Sequence, residues 1–142
     1  MNAVMTLLRD KNDHLLKFLQ LNEAELINFT TGNFDNLETF YQSRETILDL
    51  IRCIDGLVDV ALKNSPVEES NIAPEHKKEL LQLLTRKNEM VQQILSQDLQ
   101  ILSVIERTKS EIIKDLRQVQ AARKAVGAYK SGEVRNSLDE KA

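Results

Sequence analysis

Tryptophan is missing from the 142 residues, and only two tyrosines and four phenylalanines are present. No run of alternating β-branched residues appears either, so strands lack their usual material. Four glycines and two prolines leave few places where a helix would be forced to stop. The single cysteine, Cys53, excludes an internal disulfide and leaves no cysteine cluster for a metal. It stands beside Ile51 and Ile54 in a helical pattern, so a buried structural thiol is expected rather than a nucleophile. No apolar run approaches the roughly 18 residues that would span a membrane. Arg9, Asp10 and Lys11 follow only a few apolar residues, which is not the pattern of a secretory signal. A soluble, cytoplasmic chain is the expectation.

Leucine, isoleucine, glutamate, lysine and glutamine are plentiful, and that is an all-α composition. The length suits one helical domain, residues 1–130, with a flexible tail at 131–142. The formal net charge of -3 is unevenly spread. Residues 1–74 carry 6 Lys and Arg against 12 Asp and Glu, whereas residues 105–130 carry 7 against 3. The basic end of the chain is therefore the end of its last helix, where cations also suit the helix dipole.

The apolar periodicity predicts three helices. The first runs from about residue 3 to 30, with Met5, Leu8, Leu15, Leu19, Leu26 and Phe29 on one face and Asn12 and Asn22 interrupting it. Thr31-Gly32-Asn33 should end it, with Gly32 at the left-handed C′ position and Asn33 capping the next helix. The second runs from about 34 to 63 and carries Arg44 and Glu45 in the middle of its stripe. So short a connection makes the first two helices an antiparallel hairpin. Residues 64–74 read as a loop, with Pro74 suited to the first turn of a third helix from 75 to 129. That helix has an apolar seam at steps of four and three, broken by Lys87, Asp98, Thr108 and Asp115.

The lengths do not match. Helices of about 29 residues span roughly 43 Å, so the hairpin can cover the third helix only from Glu75 to about Val104. About 25 more residues carry on with the apolar pattern. The expected fold is a hairpin plus one long third helix, a three-helix bundle with a protruding C-terminal half. Residues 106–111 are an unbroken polar run where bending would cost least.

No constellation for catalysis is present. His14 and His76 are isolated and expected on wet surfaces, with no cysteine or paired carboxylate at ligand spacing. Phosphate loops, nucleophile elbows and zinc-protease helices are absent. These residues therefore point to no enzyme, metal or cofactor. The basic segment interleaves its cations with acids and lacks stacking aromatics apart from Tyr129, which fits a solvated face better than a nucleic-acid site. The stripe of Ile105, Ile112, Leu116, Val119, Val126 and Tyr129 is the candidate binding surface, with Arg117, Arg123 and Lys124 steering acidic flanks of a partner. Self-association through that stripe, and a folded-back fourth helix, remain the competing uses, so monomer and homodimer both stay open.

Residues 123–129, Arg-Lys-Ala-Val-Gly-Ala-Tyr, followed by Ser137-Leu138-Asp139-Glu140-Lys141-Ala142, resemble the ending of flagellar type III export chaperones of the FlgN/FliT kind. Gly32-Asn33 and the pattern Leu37, Phe40, Arg44, Glu45, Ile47, Leu48 are similar to their first turn and second helix. The resemblance implies a cytoplasmic helical chaperone that holds unassembled hook-associated or filament-cap subunits and passes them to the export gate and its ATPase. Its client surface would correspond to about Ile105 through Tyr129 here. The alternative is a homodimeric coiled-coil scaffold with no client to deliver.

Overall fold

The computed structural model describes residues 2–64 and 72–141, with side chains described as far as Tyr129. It is all-α. Helix α1 spans Asn2–Thr30, α2 spans Leu37–Asn64 and α3 spans Pro74–Lys141. There is no strand among the described residues. The chain forms two compact units, Met1–Ser103 and Val104–Ala142. That division falls at the Val104 limit set by the helix lengths.

In the first unit, α1 is the most enclosed helix, packing against both α2 and α3. It buries Val4, Met5, Leu15, Phe18, Leu19 and Phe29, whereas α2 buries only Phe40, Ile51 and Ile54. Leu15, Phe18 and Leu19 pack with Ile51 of α2 and with Met90 and Ile94 of α3. Polar pairs fix the helix directions. Lys11 with Asp55 and Asn22 with Arg44 show α1 and α2 to be antiparallel. Asn12 donates to the Leu83 carbonyl and Asn22 to Asp98, so α1 and this part of α3 are parallel. Arg9 pairs with Glu79 in the same sense.

The turn between α1 and α2 is held by its backbone. Gly32 has φ of 86°, its N–H donates to the Phe29 carbonyl, and the Asn33 N–H donates to the Asn28 carbonyl. These two bonds form a Schellman motif with glycine at C′, as the residue pattern predicts. Asn33 does not cap α2. Its side chain instead accepts from the Asp35 N–H in a local turn, and α2 begins at Leu37. Phe29 stacks on Phe34 and meets Phe40 edge-on, each at 5.2 Å, closing the end of the hairpin. A Cβ on Gly32 would meet no atom within 4 Å, so the backbone alone sets the cost of replacing it. Gly32→Ala is expected to lower the unfolding free energy by about 1–2 kcal/mol. Urea denaturation checks this, and an unchanged midpoint would mean that the turn adapts to a side chain at no cost.

Three further expectations differ from the structure. Cys53 is exposed, not buried. Its neighbours in sequence are not its neighbours in space, because successive helical residues are 100° apart and Ile51 and Ile54 face the core without it. His14 is mostly covered, with Nε2 3.5 Å from an Asp10 carboxylate oxygen, because it sits one residue before Leu15 at the edge of the core face. Helix α3 passes Gly127 and Gly132 and ends at Lys141, beyond the expected stop near Tyr129. An isolated glycine costs a helix only about 1 kcal/mol and does not by itself end it. The loop expected at 64–74 lies outside the described residues for 65–71, as do the side chains of the expected tail.

Candidate protein-binding site

The second unit is helical from Val104, and all its described side chains from Lys109 to Tyr129 are exposed. Ile112, Leu116, Val119 and Val126 follow one another at steps of four, three and seven, so they lie along one side of the helix. They are between 47% and 56% exposed, and Tyr129, three residues further on, is 69% exposed. Ile105 is half-buried. The stripe from Ile112 to Tyr129 covers about 26 Å of helix. Ile113, also exposed, widens it.

Among the expected steering cations, Arg117 and Lys124 are seven residues apart and share one line of the helix, roughly opposite the Ile112–Val126 row. Arg123 sits in the stripe itself, one heptad beyond Leu116. The arrangement offers apolar area with one positive charge, that of Arg123, within it. Such a surface suits an amphipathic segment with acidic flanks. Among the described residues there is no group of three His, Cys, Asp or Glu able to hold a metal ion. No described helix is long and apolar enough to cross a membrane.

The first unit holds a feature that periodicity did not assemble. Asn22 of α1, Arg44 of α2 and Asp98 of α3 form one polar network inside the bundle. Arg44 Nη1 donates to Asn22 Oδ1 at 2.8 Å and to Asp98 Oδ1 at 2.8 Å. Its Nη2 donates to Asp98 Oδ2 at 3.2 Å, so the carboxylate is gripped through both oxygens. Asn22, fully buried, donates its own amide to Asp98 Oδ1 at 3.0 Å. The guanidinium also lies 4.6 Å from the Phe18 ring centre and 5.1 Å from that of Phe40. Each helix supplies one member, and each member is a polar break in an apolar seam.

Beside this network, α2 and α3 part to leave an apolar groove floored by Leu15 and Phe18 of α1. Leu48 and Ile51 form one wall and Val91 and Leu95 the other, enclosing a cavity of about 250 Å³ with Arg44 and Asp98 at its polar end. Leu95 is half exposed, and Leu99 and Leu102 continue the apolar surface along α3. Leu81, Leu95, Leu99 and Leu102 form a second, exposed apolar row on the third helix beside the seam.

No family model, no curated protein and no solved structure matches the chain.

Proposed function

We propose that the protein is a cytoplasmic chaperone of protein export. It holds unassembled flagellar hook-associated or filament-cap subunits through the apolar stripe on the second half of α3. The observation that carries the reading is the exposure of Ile112, Leu116, Val119, Val126 and Tyr129 along one helix side. Isolated exposed apolar residues need no explanation, but a continuous row of them does. The resemblance of residues 123–142 to the export chaperones supplies the client class and the export ATPase as a further partner.

Covering six such side chains yields on the order of 10 kcal/mol before costs. Loss of overall motion and ordering of a disordered client segment remove much of that, leaving affinity in the micromolar range. A client that must be released for export is served by such an affinity. Replacing Leu116 and Val119 together by Asp is expected to abolish capture of a hook-associated or cap subunit. Both side chains are already exposed, so helicity and melting temperature should stay nearly unchanged. Loss of the fold together with the capture, or capture that survives, would remove the stripe from the client site.

A further inference from the structure

Helix α2 carries an apolar row of its own that its bundle leaves uncovered. Leu50, Cys53, Leu57 and Val60 follow one another at steps of three, four and three, so they form one line, and all four are exposed. Each of the first two stands one residue, and so about 100° around the helix, from a buried core residue, Ile51 or Ile54. Thr46 and Asn64, both exposed, continue the line and close its two ends with polar groups, over about 27 Å of helix. Gly56 lies beside the middle of the row. A glycine inside a helix weakens it relative to alanine. Gly56 is exposed, and a Cβ there would meet no atom within 4 Å, so the chain's own packing does not require it. A second helix passing close by would.

The flank of the row indicates which helix that is. Asp49, Arg52, Gly56, Asp59 and Lys63 form a neighbouring line, again at steps of three and four, with charges that run minus, plus, none, minus, plus. Turned end for end about Gly56, this line meets its own complement: Asp49 comes level with Lys63, and Arg52 with Asp59. A copy in the same direction and register would set every charge against its like. The apolar row keeps step with the reversal. Leu50 comes level with Val60, Cys53 with Leu57, and Thr46 with Asn64. Arg52 bonds Asp49 and Glu45 along its own helix, but these three side chains are 63% to 65% exposed and stay open to charges on a facing helix.

We propose that the outer face of α2 is an interface between two copies of this chain, whose α2 helices pack antiparallel about Gly56. The contact is isologous, so each pairing occurs twice. Charge order sets the direction, and the four apolar residues of each copy supply the burial. So small a contact gives a weak, concentration-dependent dimer. The row of residues 112–129 takes no part, and the inference stands apart from the chaperone reading.

Sedimentation of the full chain from low micromolar to submillimolar concentration should show a monomer–dimer equilibrium. Labelling of Cys53 by a maleimide should slow over the same range, because dimerisation covers the thiol. Leu57→Asp and Gly56→Lys should each give a monomer whose circular dichroism is that of the folded chain, the second by setting two like charges at the centre of the contact. Leu116→Asp should leave the dimer intact. A chain that stays monomeric throughout, a labelling rate independent of concentration, or a dimer lost with Leu116→Asp but kept with Leu57→Asp overturns the proposal. Direction is read by cross-linking in a Cys53→Ser background, with chains carrying Leu50→Cys mixed with chains carrying Val60→Cys and a short bifunctional maleimide added. Linkage between unlike chains supports the antiparallel contact. Linkage dominated by like chains means a parallel one and overturns it.

Discussion

Replacing Asp98 by Ala is expected to cost about 3 kcal/mol of stability, more than its partial exposure alone would indicate. The loss would come from what is left behind. Arg44 keeps its place between Phe18 and Phe40 and its bond to Asn22, but its charge has no carboxylate to neutralise it. Asn22, which is fully buried, loses the acceptor for its amide. Arg44 and Asp98 side chains are 20% and 33% exposed, so water reaches the cluster and moderates the cost of an unpaired charge. For a unit of this size, 3 kcal/mol corresponds to a fall in melting temperature on the order of 15 °C. The sharper comparison is with all three members replaced at once. Asn22→Leu, Arg44→Met and Asp98→Leu together should be much less harmful than Asp98→Ala, because no polar group is then stranded. Thermal melts of the single and triple variants check this. If the triple variant loses the sum of the single losses, the network acts as separate contacts rather than as a unit.

Phe29→Ala should be the most damaging single truncation, at about 3–5 kcal/mol. The ring is 1% exposed and touches Phe34 and Phe40 across the turn. Its loss leaves a cavity at the end of the hairpin, where the Schellman bonds of Gly32 and Asn33 hold the backbone and limit collapse into the space. Phe29→Leu should recover more than half of the loss, because it refills most of the volume. Denaturant midpoints decide the matter. A deficit below about 1 kcal/mol would show that the turn region closes over the missing ring.

Much of this architecture could be read from residue order, and the parts that could not share a cause. A helix shows its own apolar face by its period, so the three helices, the turn at Gly32 and the Val104 limit were all legible. Period says nothing of which residue on one helix lies opposite which on another. Asn22, Arg44 and Asp98 could each be recognised as an interruption, but their meeting depends on the register between helices, which only packing sets. The same gap hid the groove. Leu95 lies outside the seam that the period picks out, and its position across a cleft from Leu48 could not be inferred from either helix alone. Cys53 failed for a related reason: closeness along the chain stood in for closeness around the helix. The bare stripe on the second half of α3 was the most accessible feature, since comparing lengths requires no register.

The order in which the network's members leave the ribosome follows from its layout. Asn22 and Arg44 belong to the hairpin and can bond as soon as that has closed. Asp98 lies 54 residues after Arg44 and is synthesised about 3 to 11 s later at ordinary elongation rates. In that interval Arg44 has no carboxylate from the third helix to answer its charge. The arriving third helix therefore meets a single positive mark halfway along a greasy trough, and sliding by one turn in either direction would leave that mark unanswered.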